Sequence, residues 1–351
     1  MSIMKVIHFD SGFGNQISIY AEYLAMKYAN PDDDIFMEDI VYSIPETEEY
    51  LAMWQGYELE KVFGITIPNI SQLFSEAEYK EIIDEVRKTN FWRNDWDYPP
   101  VIVDVLARHG LQLKNTCKSN FIFNESCVKS GLRSFLKVIR RNRLGGFLIS
   151  KTMRIFERLI VHKESYYKVL YNTTDENLYF GQTGYPLYKS ARLELIEEQL
   201  RKDLSFKPVL SEKNAEILSL IESSNSVAIH ARRGDLLKYI DYCYSNGYFI
   251  RAARYIKKKV EHPVFFVFSD AESSDWIKEN KKTLGLSSED TCYVIDWNKD
   301  NDSYIDMYLM SRCKHDIFTK SSFGFWAAWL NENPEKITCS SDVRINSTNH
   351  F

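Results

Sequence analysis

Two adjacent arginines just past a short apolar run are the residues of this 351-residue chain best suited to chemistry. The stretch reads Ser226-Val227-Ala228-Ile229-His230-Ala231-Arg232-Arg233-Gly234-Asp235. Guanidinium groups clamp phosphate oxygens through paired hydrogen bonds. A second stretch, Ser321-Ser322-Phe323, opens an apolar helical pattern. A helix start offers free N–H groups and the positive end of the helix dipole. Ser269 and Asp270 follow another apolar run, and Asp306 lies on a helical pattern. Guanidinium groups, hydroxyls at a helix start and few acids together suit a phosphorylated ligand. Each residue also has a structural reading. The arginines can be ion-pair partners, Ser321-Ser322 can cap a helix, Asp306 can face solvent, and His230, alternating with Ala228 and Arg232, can be a strand residue.

Those residues need a scaffold, and the second half of the chain predicts one. From about residue 190, short apolar runs alternate with helical patterns. "SVAIHAR", "PVFFVFSD", "TCYVID" and "KHDIFTK" read as strands. "KSARLELIEEQLRKDL", "YFIRAARYIKKKV", "SSDWIKENKKTLG", "SYIDMYLMSRC" and "SFGFWAAWLN" read as helices. This alternation predicts a parallel, doubly wound α/β sheet. Such sheets bind ligands beyond the carboxyl ends of their strands, where the residues above fall. The N-terminus repeats the unit: a strand near 4–9, the loop Asp10-Ser11-Gly12-Phe13-Gly14-Asn15-Gln16, and a helix near 15–29 with Ile17, Tyr20, Ala21, Leu24, Ala25 and Tyr28 on one face. Residues 40–130 show short helices such as "SEAEYKEIIDEVRKT", aromatic loops such as "FWRNDWDYPP" and little strand signal.

The length suits two domains. A net charge of −5 argues against a general nucleic-acid binder. The first residues have no secretory layout, and no window holds the ~18 apolar residues of a spanning helix. The widely spaced cysteines, without a Cys-x-x-Cys, read as reduced and mostly buried thiols. The protein is therefore expected in the cytoplasm. Residues 131–163 stand apart, with nine basic residues against the single acid Glu157. The interleaved apolar residues fit either a solvated helical hairpin or an interfacial helix drawn to anionic lipid.

Three motifs fail. Arg233-Gly234-Asp235 spells an adhesion tripeptide, but it ends a buried strand in a chain without an export signal. "PDDD" at 31–34 has the spacing of a divalent-metal site, yet it follows a helix end and reads as a solvated turn. Gly12-x-Gly14 begins a dinucleotide fingerprint whose third glycine is replaced by Ile17.

Taken together, "GFGNQISIYAEYLA", "YFGQTGYPLY", "VAIHARRGDLL", "FFVFSDAESSDWIKEN" and "DMYLMSRCKHDIFTKSSFGFWAAWLN" resemble the α-1,2-fucosyltransferases of glycosyltransferase family 11. The resemblance covers the extreme N-terminus and most of the C-terminal half. It implies the GT-B fold: two facing Rossmann-like domains with a cleft between them, here 1–178 on the acceptor side and 179–351 on the donor side. It implies GDP-β-L-fucose as donor, a galactose 2-hydroxyl as acceptor, inversion to an α linkage, and neither metal nor cofactor. Family roles fall on His230, Arg232, Arg233, Gly234 and Asp235, with Arg232 on the β-phosphate. Asp306 is implied at the nucleoside, and Ser322 and Phe323, with Ser321, near the phosphates. Gly14 and Asn15 are implied to reach the pyrophosphate from the N-terminal domain. The chain departs from the family at Asp10-Ser11-Gly12, Leu236, Lys320 and Phe325.

With no metal, cations and N–H donors must meet the charge that builds on the leaving nucleotide. Arg232 is the first choice, helped by Asn15 and Ser322. The acceptor proton needs a base. Asp235 and Asp10 are the candidates, Asp235 being equally readable as an ion-pair partner of Arg232 or Arg233. The acceptor is expected to be a galactose-terminated oligosaccharide, lipid-linked in bacterial surface polysaccharide synthesis, with 131–163 holding the enzyme at the inner face of the membrane. The alternatives are transfer from another nucleotide-sugar and a non-catalytic nucleotide-binding module.

Overall fold

The computed structural model describes residues 3–47, 55–93, 96–115, 139, 144–145, 176–181, 193–234, 237–270, 273–319, 321–341 and 349–350. Asp235, Leu236, Lys320, residues 182–188 and nearly all of 131–163 therefore lie outside the described residues. The described residues form two α/β units, the first from residues 3–115 and 176–206, the second from residues 139, 144–145 and 207–350.

The first unit runs β1 (Met4–His8), α1 (Phe13–Ala29), β2 (Asp34–Glu38), α2 (Glu58–Phe63), α3 (Glu76–Lys88), α4 (Tyr98–Arg108), β3 (Lys114–Asn115), β4 (Leu178–Phe180) and α5 (Leu193–Asp203). Its four strands are all parallel, in the order β2-β1-β4-β3. Val6 and Ile7 are both buried, so β1 is covered on both faces, as parallel strands require. α1 begins two residues earlier than the apolar pattern predicts, placing Gly14 and Asn15 in its first turn. It also buries more than one face. Ile17, Ala21 and Ala25 are inside, but so are Gln16, Ser18 and Glu22, while Tyr28 is 63% exposed.

Two expectations change here. The sequence divides the chain at 178/179, but β4 pairs with β1, and the Tyr20 hydroxyl of α1 donates to Asp203 of α5 at 2.7 Å. Residues 178–206 thus belong to the first unit. "PDDD" is only partly a solvated turn. Asp33 is buried and accepts from the Nζ of Lys5 at 2.5 Å, and Asp34 opens β2.

The second unit runs α6 (Glu212–Ser223), β5 (Asn225–His230), α7 (Leu237–Ser245), α8 (Tyr248–Lys259), β6 (Pro263–Phe268), α9 (Ser274–Glu279), β7 (Cys292–Ile295), α10 (Ser303–Arg312), β8 (His315–Phe318), α11 (Ser322–Leu330), β9 (Thr338–Ser340) and β10 (Asn349–His350). Its six strands are parallel, in the order β10-β9-β8-β5-β6-β7. From β5 the chain fills one side of the sheet through β6 and β7, then returns to β8 on the other side. The strand order therefore reverses between β5 and β8, the point at which doubly wound sheets hold their ligands.

Packing follows from the sequence pattern. α8 turns Phe249, Ala252, Ala253 and Ile256 into the core and carries Arg254, Lys258 and Lys259 outside. That spacing is one face of a 3.6-residue period. Fully burying a side chain such as Phe249 or Ile256 stabilises by about 1.5–3 kcal/mol. The helix expected over "SSDWIKENKKTLG" breaks at Asn280 into a 3₁₀ turn, Lys281–Leu284, that ends on Gly285 at φ +79°. The four described cysteines are free thiols; Cys243, Cys313 and Cys339 are buried. No helix among the described residues is long and apolar enough to cross a membrane.

Candidate active site

At the reversal point, His230 ends β5 in register with Phe318 of β8. The first turn of α11 packs directly on it. A Cβ added to Gly324 would lie 2.8 Å from His230 Nδ1 and 2.8 Å from the Phe318 Cβ, so only glycine lets the helix approach this closely. The ring of Phe323 lies 5.4 Å from the His230 ring. Burial, and then the neighbouring Arg232 charge, push His230 down to about 3, so the imidazole is neutral. Its Nδ1 is buried without a hydrogen-bond partner, as is the hydroxyl of Thr319 just past β8. Ser321 caps α11 through its backbone only, its side chain making no capping bond. The free N–H groups of that first turn therefore sit beside the β5 strand end. His230 and the stretch Ser321-Ser322-Phe323, far apart in sequence, are brought together.

The two arginines have different surroundings. Arg232 is half-buried, and its carbonyl accepts from the Tyr244 hydroxyl at 2.7 Å. Arg233 lays its guanidinium over the Trp276 ring, 3.5 Å from the centroid, with Tyr244 at 4.9 Å. This is a cation–π arrangement, so Arg233 ties its loop to α9. The loop is also held from β6. Asp270 Oδ1 accepts from the backbone N–H of Arg233 at 2.9 Å and of Gly234 at 3.2 Å, and Oδ2 accepts from Ser273 Oγ at 2.5 Å. Burial alone would raise the Asp270 carboxyl, but these hydrogen bonds and the Arg232 charge outweigh it and hold it below the usual range. The strand-end rule pointed to Asp270; its bracing role, and that of Trp276, had no sequence signal.

Asp306 sits on α10, buried, with Oδ1 accepting from Asn298 Nδ2 at 2.6 Å. Asn298 and Asn214 exchange further hydrogen bonds, and the Trp297 indole N–H donates to Asn214 Oδ1 at 2.9 Å. Burial raises the Asp306 carboxyl to about 8; the Asn298 bond opposes this and Asp296 adds to it. Asn214 and Asn298 lie 84 residues apart, which is why pattern reading missed them.

The first unit carries its own constellation at the ends of β1 and β2. His8 and Glu38 are partners in register. His8 Nδ1 lies 2.5 Å from Glu38 Oε2, and the Tyr179 hydroxyl donates to the same oxygen at 2.8 Å. The other Glu38 oxygen accepts from the Ile40 N–H at 2.7 Å. Tyr98 stacks on the His8 ring with centroids 4.0 Å apart. On the far side of the ring, Nε2 faces Asp10 Oδ2 at 3.7 Å. Burial would lower the His8 imidazole, but Glu38 and Asp10 together raise it to about 10. The next residue, Ser11, has φ +68°, a left-handed backbone on a non-glycine residue, whereas Gly12 is extended at φ −83°. The Ser11 carbonyl accepts from Tyr42 Oη at 2.8 Å and Gln16 Nε2 at 3.1 Å. Gly14 and Asn15 are in the first turn of α1, where the Asn15 N–H donates to the Gly12 carbonyl at 2.9 Å.

A family model described as glycosyl transferase family 11 matches residues 154–342. An α-1,2-colitosyltransferase of Escherichia coli is 35% identical over 148 residues, which cover 40% of this chain and 48% of that protein. Galactoside α-(1,2)-fucosyltransferase 1 of Aotus azarae is 30% identical over 147 residues, covering 38% of each. The match thus spans less than half the length of either relative. Among solved structures, the fucosyltransferase NodZ from Bradyrhizobium aligns over 93% of this chain and 92% of its own, at 13% identity and a TM-score of 0.40.

Proposed function

The chain belongs to glycosyl transferase family 11, and from that premise we propose that it moves L-fucose from GDP-β-L-fucose to the 2-hydroxyl of a terminal galactose. The observation that carries this is the closure of the α11 start onto the end of β5. It sets a neutral imidazole, its Nδ1 without a hydrogen-bond partner, and a helix N-terminus beside Arg232, at the point where the strand order reverses.

In this reading a nucleoside diphosphate lies against that strand end. Arg232 and the first N–H groups of α11, with Ser321, Ser322 and Phe323, meet the phosphate oxygens. The charge they meet grows as the sugar–phosphate bond breaks, so they act most strongly at the transition state. His230 fixes the nucleotide as a neutral ring, and Asp306 answers the nucleoside. Arg233 acts one step removed, keeping Arg232 placed by its stacking on Trp276. In the first unit, Asp10 is the group that takes the acceptor proton. No metal is required, and a chelator is expected to leave the rate unchanged.

The experiment is calorimetric binding of GDP, UDP and GDP-fucose, followed by transfer assays with Arg232→Ala. Preference for GDP, with transfer lost in a folded variant, supports the reading. Preference for UDP, or a fully active variant, contradicts it. A second donor has its own support, since one similar protein is an α-1,2-colitosyltransferase. A colitosyl donor therefore belongs in the same assay, and faster transfer from it would replace fucose.

A further inference from the structure

We infer that His8 and Glu38 form a buried charged support that aims Asp10 as the proton acceptor for the sugar hydroxyl, with His8 as a positioning residue. This rests on the transferase reading above.

Three devices converge on this one partly exposed carboxylate. Behind it, His8 and Glu38 are 1% and 0% exposed and in contact at 2.5 Å. An ion pair so deep costs desolvation that hydrophobic packing would avoid, so it is weak evidence of stabilisation for its own sake. Beside it, Ser11 holds a strained backbone while its carbonyl receives two side-chain donors, and its hydroxyl donates to Asp10 Oδ1 at 3.0 Å. Such strain persists only where the surroundings over-determine it, and it clusters at functional sites. Around it, Gln16 locks the loop, donating to the Gly56 carbonyl at 2.7 Å and accepting from the Glu58 N–H at 2.8 Å.

The geometry orders the charges. Glu38 takes His8 Nδ1, so the ring's other nitrogen is directed at Asp10. A protonated His8 then sets its charge against both carboxylates, Glu38 in direct contact and Asp10 across 3.7 Å. The other ionisable groups near His8, Glu38 or Asp10 are Asp39, Tyr42, Tyr79, Tyr98 and Tyr179, with Glu58 beyond Tyr42. Burial raises Tyr42, Tyr79 and Tyr179, which stay neutral; Tyr42 donates to the Ser11 carbonyl and Tyr179 to Glu38. Asp39 is raised chiefly by burial and also by Glu38, with His8 and Asn69 opposing.

The acceptor oxygen bonds to the anomeric carbon as the carbon–oxygen bond to phosphate breaks, its electron pair leaving on the nucleotide. The hydroxyl proton passes to Asp10, which later releases it to water. His8 keeps its own proton throughout, since a cation cannot take a second.

The test is the pH profile of kcat and KM for Asp10→Asn, His8→Gln and Glu38→Gln, with GDP affinity and thermal midpoint measured on each. Asp10→Asn is expected to lower kcat at least 100-fold while GDP affinity stays within twofold. His8→Gln is expected to move the acid limb of kcat up by one pH unit or more. Glu38→Gln is expected to bring the His8 ionisation into the assay range as a second inflection. A wild-type kcat in Asp10→Asn overturns the inference. So does a His8→Gln variant that loses only thermal stability, its pH profile unmoved. Donor hydrolysis without acceptor reports separately on the transferase reading. If wild type neither transfers nor hydrolyses, that reading fails, and NMR titration of the His8 ring still decides the support. Its midpoint should fall by about a unit in Asp10→Asn, and an unchanged midpoint overturns it.

Discussion

Replacing Asp270 by alanine removes one ionised acceptor from three donors at once: the N–H groups of Arg233 and Gly234 and the Ser273 hydroxyl. Hydrogen bonds to a charged group contribute about 1.5–3 kcal/mol each. The loop is only half-buried, so water replaces part of what is lost, and a net cost of about 2–3 kcal/mol is expected. That cost falls on the segment carrying Arg232. If nucleotide binding must restore the loop, GDP affinity falls by roughly 30–140-fold, at 1.4 kcal/mol per tenfold. Asp270→Asn is the control. Its carbonyl can keep both backbone donors, and its amide can donate to Ser273, whose hydroxyl also accepts. It should lose about tenfold or less. Titration calorimetry with GDP reads both variants, and the fluorescence of Trp276 under Arg233 reports whether the loop has moved. Wild-type GDP affinity in folded Asp270→Ala would refute the bracing argument.

Three further outcomes are expected. Gly324→Ala drives a methyl into the His230 ring and Phe318; overpacking of this kind costs about 1–3 kcal/mol, and GDP affinity should fall with the thermal midpoint. Asp306 holds its proton to about pH 8, whereas the unfolded carboxyl releases it near 4, so its contribution to stability falls as pH rises through that window. Asp306→Asn should flatten that fall in urea titrations, and GDP binding to the wild type at pH 7 should release a proton, seen as a buffer-dependent heat. His8 runs over a higher window: its native ionisation near 10 against 6.5 unfolded makes its stabilisation complete below about pH 6.5 and lost by about pH 10. The His8→Gln thermal midpoint should depend less on pH across that range.

The second unit was largely legible because its strands are short apolar runs separated by helices with a clear 3.6-residue period. β5, β6, β7, β8, α8, α10 and α11 fall where alternation placed them. β2 was missed because Asp34 and Glu38 flank only three apolar residues, and β9 because Thr338-Cys339-Ser340 carries no period. β4 was short enough to read as the start of the second domain, and only its pairing with β1 moves the division. In the site, chemistry at strand ends was visible as residue types, but partners were not. Arg233 looks like a phosphate ligand until Trp276 is seen beneath it. The loop at Asp10 drew notice for its glycines, yet the strained residue is Ser11, and the charges behind it come from strand ends 30 residues apart. Asp235 and nearly all of the basic segment 131–163 lie outside the described residues, so the second candidate base and membrane contact stay as sequence expectations.

The most direct measurement is linkage analysis of the product formed from GDP-fucose and a panel of galactose-terminated oligosaccharides. The expected product carries an α-fucosyl group on the galactose 2-hydroxyl, formed with chelator present and lost in Arg232→Ala. Transfer from a UDP-sugar alone, or fucose attached at another hydroxyl, would contradict it.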